Sequence, residues 1–185
     1  RGLSIGVIDL KAEQALTLLG QITERFARGE KLAEAAPAIV DLLLASYPAT
    51  AAFVARTESE AGLALRWLHG RERGGKVLDP QVQAKALARV EAALREGQAG
   101  VREAPPPEMT GGAAPPGAIA VKSDAGNPPL HCFPLLEGVD LTSPPLGVLA
   151  LYPDPSAEEG PDEVSLRAVS MARDFARVRL LAEIE

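Results

Sequence analysis

Leu130 to Leu136 reads LHCFPLL, and Gly147 to Tyr152 reads GVLALY. Both runs are apolar on successive residues, so both faces of each strand need cover, and the pair belongs in the middle of a sheet with layers on either side. The loop Glu137 to Leu146 joins them. A sheet covered on both faces needs helices at hand, and the rest of the chain supplies them.

Downstream, a helix is expected from about Asp162 to the end. Ala168, Met171, Phe175, Val178 and Ala182 form one apolar seam, and Leu166, Val169, Ala172, Ala176 and Leu180 form a second. One seam needs the sheet and the other needs the first helix, from its own chain or a partner. The acidic cluster Asp154, Glu158, Glu159, Asp162 and Glu163 before this helix suits the positive end of its dipole and lacks a calcium-loop pattern.

Upstream, Ala118 to Lys122 is a strand candidate, and the Pro/Gly-rich stretch from Pro105 to Gly117 is a loop and a candidate lid carrying Met109. Asp79-Pro80 is a helix start, with Val82, Ala86, Val90, Ala93 and Leu94 as the buried stripe. Gly97 is expected to stop that helix, and Gly100 to Ala104 to form a short strand. Ala51 to Thr57 and Leu63 to His69 read as a hairpin, with Leu63, Leu65, Trp67 and His69 on one face by period two. A helix from about Lys31 to Ser46 contains Pro37, which would mark its true first turn. Before it, Ala12, Ala15, Leu19, Ile22 and Phe26 give a coiled-coil-like seam that ends at Gly29.

Composition sets bounds. The chain has 185 residues, 46% of them hydrophobic, which is enough to bury a core. A net charge of -6 argues against nucleic acid as a partner of this segment. The apolar runs are too short to span a bilayer. One cysteine, Cys132, makes neither an internal disulfide nor a multi-thiolate metal site, which favours a reducing, cytoplasmic setting. The chain opens on Arg1 rather than Met and is read as a piece of a longer protein, with an effector domain beyond it.

The order of elements, with "LALRWLHG", "DPQVQAKALARVEAALREGQAGVRE" and "CFPLLEGVDLTSPPLGVLALY", resembles that of GAF domains over roughly Leu32 to Leu181. The resemblance implies an α/β (α+β) fold, with a central antiparallel sheet of about six strands. Terminal helices would lie on one face, and a short helix, loops and a ligand pocket on the other. It divides the chain into an N-terminal linker and dimerisation helix, residues 1–31, and a GAF-like domain, residues 32–185. Specialised members fit poorly: His131-Cys132 reverses the bilin-binding order, the Asn-Lys-Phe-Asp-Glu signature of cyclic-nucleotide binders is missing, and one cysteine is too few for a free methionine sulfoxide reductase. The expectation is a regulatory or sensory signalling module, not an enzyme, without cofactor or metal. A ligand-free scaffold for protein contacts is the alternative.

Candidate residues follow. Trp67, His69, Met109 and His131 are candidates to line a small-molecule pocket. Arg71, Arg73 and Lys76 lie in GRERGGKV, which nearly spells a phosphate-binding loop. Val77 replaces the magnesium-binding hydroxyl and Asp79-Pro80 delays the helix, leaving a weak anion contact. His69, His131 and Cys132 are a thin set for a metal. Leu19, Ile22, Phe26, Met171, Phe175 and Val178 are candidates for a homodimer interface through the terminal helices.

Overall fold

The structure is a computed structural model that describes residues 2–58, 64–103, 118–123, 126–137, 145–157 and 160–184. Helices α1 (Gly2–Ala27) and α2 (Leu32–Ser46) are followed by strands β1 (Ala49–Thr57) and β2 (Leu65–Glu72). Helix α3 (Pro80–Glu103), strands β3 (Ile119–Val121), β4 (Leu130–Leu135) and β5 (Gly147–Pro153), and helix α4 (Glu163–Ile184) complete it. The five strands of the described residues make one antiparallel sheet in the order β2-β1-β5-β4-β3. The chain is therefore α+β, with β5 at the centre, as its two-faced apolarity requires.

Strand alternation sorts the core into two halves. Ala52, Val54, Leu149, Leu151, Phe133 and Leu135 face α1, α2 and α4, whose Ile22, Ile39, Leu43, Val169, Ala176 and Leu180 meet them. Phe53, Ala55, Val148, Ala150, Leu130 and Cys132 face α3 through its Ala86, Val90 and Leu94. Each large aliphatic side chain so enclosed contributes about 1.5–3 kcal/mol.

The helix ends show why the segments start where they do. Asp162 caps α4: its Oδ1 accepts the Ser165 N–H at 2.8 Å, while its carbonyl accepts the Leu166 N–H at 3.0 Å. In α3, the Gln83 N–H reaches the Asp79 carbonyl at 2.9 Å, the first helical bond after Pro80. Helix α2 begins at Leu32, so Pro37 stands inside it and does not mark its start. The carbonyl its ring would crowd, four residues back, belongs to Ala33, an exposed residue. The far end of α4 is tied back to the sheet: Glu183 accepts from the Arg56 guanidinium at 3.3 Å and the Leu32 N–H at 3.1 Å.

Two expectations are corrected. Gly97 does not stop α3; the helix continues to Glu103, so the strand expected at Gly100 to Ala104 does not form over its described part, and the described sheet has five strands, not six. A glycine costs a helix about 1 kcal/mol, and the Ala-, Arg-, Glu- and Gln-rich sequence around it makes up that loss. The expected common face of Trp67 and His69 is also broken. Ala55 pairs with Trp67 but Val54 pairs with His69, leaving Leu68 as a bulge residue. A bulge resets the alternation, so Trp67 points toward α3 and His69 toward the three-helix layer.

Candidate functional site

Where α3 leaves the sheet near its N-terminus, a pocket of about 550 Å³ opens between them. Val82, Lys85, Ala86 and Arg89 of α3 form one wall; Ala49, Thr50 and Ala51 of β1, Glu72 of β2 and Tyr152 of β5 form the other. Asn127 and Pro128 border it before β4, and Arg73, Gly74 and Asp154 border its opening. Val82 belongs to the apolar stripe of α3 but is 38% exposed, because the pocket lies where its packing partner would be.

The electrostatics of the lining differ from residue to residue. Arg73 is committed: its guanidinium donates to the carbonyls of Ala49 at 2.7 Å and of Leu44 and Tyr47 at 2.6 Å each, closing the C-terminal end of α2. Asp154 accepts from the Ser156 hydroxyl at 2.7 Å and its N–H at 2.9 Å, and those bonds hold its carboxyl below the usual range. Arg89 gives one N–H to the Lys122 carbonyl at 2.9 Å, but its buried Nε has no acceptor. Lys85 makes no ion pair among the described residues. Burial raises the Tyr152 phenol, an effect the Arg89 charge partly opposes.

A second recess of about 500 Å³ runs along α3 beside β3, between Ala92, Ala93 and Glu96 on one side and Ala120 to Ser123 on the other. Arg89 stands at the junction of the two.

The expected site residues are dispersed. Trp67 stacks on Phe53 under the α3 layer and does not line the 550 Å³ pocket. His69 and His131 lie on the three-helix face, on β2 and β4, with β1 and β5 between them. Three strand spacings keep them about 14 Å apart. Burial lowers both imidazoles from their ordinary value. Cys132 faces α3, away from His131, and burial pushes its thiol up to about 12, so it stays protonated at neutral pH. Among the described residues no three or more His, Cys, Asp or Glu side chains converge as metal ligands would. Met109 and the loop from Pro105 to Gly117 lie outside the described residues.

The GRERGGKV stretch forms a hairpin-like turn, not a phosphate loop. The Gly75 N–H reaches the Glu72 carbonyl at 2.9 Å, the Glu72 N–H reaches the Lys76 carbonyl at 2.8 Å, and Gly75 adopts φ 96°. Arg71 pairs with Asp41 of α2, and Lys76 is exposed. Of the three cations, Arg73 alone borders the pocket.

On the opposite face, Leu19 and Ile22 are buried in the core of their own chain, and Phe26 and Phe175 pack against that core. Met171 and Val178 are 46% and 58% exposed, and Leu16 of α1 is 68% exposed. Of the six interface candidates, Met171 and Val178 are therefore the ones open to a partner. Among the described residues no helix is long and apolar enough to cross a membrane.

Lys85, Arg89, Thr50 and Tyr152 were not among the residues singled out from the sequence. The available signal was the placement of Lys85 and Arg89 immediately before Ala86 and Val90, which puts two cations four residues apart along the edge of the buried stripe. No protein-family model and no characterised protein matches the chain.

Proposed function

We propose that this chain is a non-catalytic regulatory module of the GAF-like kind, which holds a small molecule between α3 and the sheet. The observation that carries the reading is the 550 Å³ pocket, a volume in the range of small-molecule sites, lined by an apolar floor and a few polar groups. Support comes also from the order α1, α2, β1, β2, α3, β3, β4, β5, α4, which keeps the GAF-like order read from the sequence except for the strand expected at Gly100 to Ala104.

In this reading the terminal helices, on the face opposite the pocket, carry its output. They pair with a second copy through the apolar residues left open on α1 and α4, and act on an effector domain of a longer, cytoplasmic protein. Thr50 and Tyr152 belong to β1 and β5, whose other faces pack under α2 and α4, so the pocket and the helical layer share two strands.

Native mass spectrometry of the purified protein, with a thermal-shift screen of metabolites, tests this. A retained or stabilising small molecule is expected, and Val82→Trp, which fills the pocket, should abolish its effect. A Tm unmoved by every compound, with no adduct in the native spectrum, returns the protein to the scaffold reading.

A further inference from the structure

Resting on that reading of the pocket, the chemistry of its lining narrows the ligand. We infer that the pocket takes a small organic anion, a carboxylate or phosphate headgroup on a short apolar body, with Arg89 and Lys85 of α3 holding the headgroup beside the Tyr152 hydroxyl.

Charge is distributed unevenly among the lining residues. Two carboxylates border the pocket, and neither competes for the cations of α3 in the structure. Asp154 is half-buried and bound to Ser156, and Glu72 is exposed at the end of β2. Arg73 is satisfied by three backbone carbonyls. What remains is one helical turn of α3 with Lys85 and Arg89 at i and i+4, on one side of the helix and both lining the cavity.

Arg89 is the stronger argument. Among the described residues its guanidinium makes one hydrogen bond, to the Lys122 carbonyl, while its buried Nε–H finds no acceptor. A buried donor without a partner is uncommon in folded proteins and calls for a ligand or water to satisfy it. A carboxylate or phosphate supplies two or more oxygens in the geometry that a guanidinium fork accepts. Its charge also opposes the upward push that burial gives the Tyr152 phenol, which places guanidinium and phenol in one electrostatic neighbourhood.

The remaining lining sets the body of the ligand. Ala49, Ala51, Leu78, Val82 and Ala86 are small or aliphatic and offer no hydrogen bonds from their side chains. An apolar segment of a few carbons covers them, whereas inorganic phosphate alone would leave them wet. Headgroup and body together make an amphiphilic anion.

Isothermal titration of the intact chain with hexanoate, hexyl phosphate, hexan-1-ol and inorganic phosphate tests the inference. One or both six-carbon anions should bind at one site per chain, and the alcohol and inorganic phosphate about tenfold or more weakly. The tighter of the two anions identifies the headgroup. Arg89→Gln and Lys85→Gln should each weaken the anions by about tenfold and leave the alcohol unchanged, with Arg89→Lys in between.

If the alcohol binds as tightly as the anions, the anionic ligand is wrong while the pocket reading stands. If none binds and native mass spectrometry finds no adduct of any kind, both fall. Should Arg89→Gln unfold the chain through loss of its bond to Lys122, exposed Lys85→Gln decides alone. An unchanged anion affinity in that variant overturns the inference.

Discussion

Phe53 and Trp67 stack with ring centroids 4.6 Å apart and planes 20° from parallel, directly beneath Gly70 of β2. The stack leaves no room for a side chain at Gly70. A Cβ there would sit 2.3 Å from Trp67 Cζ2 and 2.6 Å from Phe53 Cβ. Gly70→Ala should therefore cost about 1–3 kcal/mol, as overpacking does. Urea unfolding followed by far-ultraviolet circular dichroism measures it, and Trp67→Leu in the same chain should recover part of the loss. A neutral Gly70→Ala would mean that the rings are not stacked as described.

Arg73 should be worth more to stability than an exposed surface arginine. Its fork closes three carbonyls at the junction of α2 and β1. Arg73→Leu removes charge-assisted bonds and leaves those carbonyls to water, for a loss of about 1–3 kcal/mol in denaturant unfolding. Arg73→Lys should recover little of it, because an ammonium group cannot span the three acceptors as a planar fork does.

The terminal helices separate folding from assembly. Ile22 is fully buried, so Ile22→Ala should cost about 2–5 kcal/mol. Val178 and Met171 are exposed, so Val178→Glu and Met171→Glu should change stability by less than about 0.5 kcal/mol. Light scattering then reads the assembly: a dimer in the parent chain should become a monomer in Val178→Glu. A parent chain that is already monomeric, or a Val178→Glu dimer as tight as the parent, removes the helical interface.

Much of this architecture is legible from residue periodicity, and the exceptions have physical causes. The two-faced apolar runs of β4 and β5, the Asp79-Pro80 start and the Asp162 cap are local signals that tertiary packing reinforces. The continuation of α3 past Gly97 is different, since helix propagation depends on the sum of neighbours and one glycine is a weak veto. Period two also fails where a bulge intervenes, and nothing in RWLHG marks Leu68 as the extra residue. Trp67 and His69 were therefore expected together and are found on opposite faces. The pocket was the hardest to foresee. It is made by what α3 does not touch, and Lys85 and Arg89 line it with Tyr152, a residue more than 60 positions further along the sequence.

Acid should weaken the fold through its histidines. Burial lowers His69 and His131 below the ordinary value of 6.5 in the folded chain, while the unfolded chain retains that value. Above pH 6.5 both states are neutral at these positions and the full stability is present. Below it the unfolded state binds protons that the folded state refuses, so stability falls with pH until the folded histidines also titrate. Urea midpoints at pH 7.5 and 5.5 should differ in that direction, and His69→Gln with His131→Gln should reduce the difference. A midpoint that rises on acidification would contradict the burial of both rings.

Cys132 reports on the layer that roofs the pocket. Its side chain is fully buried between the sheet and α3, and burial pushes the thiol up to about 12 from an ordinary 9.0. At pH 8 only about one thiol in ten thousand would be ionised in the folded state, against about one in ten when exposed. Reaction with a disulfide reagent should accordingly be slow in native buffer and complete within seconds in urea, because labelling waits for α3 to lift from β4. An anion seated against Arg89 on the same helix stabilises the closed form and should slow labelling further, in proportion to its occupancy. Stoichiometric labelling of the native chain within minutes would show that α3 does not cover Cys132, and with it the roof of the pocket would be lost.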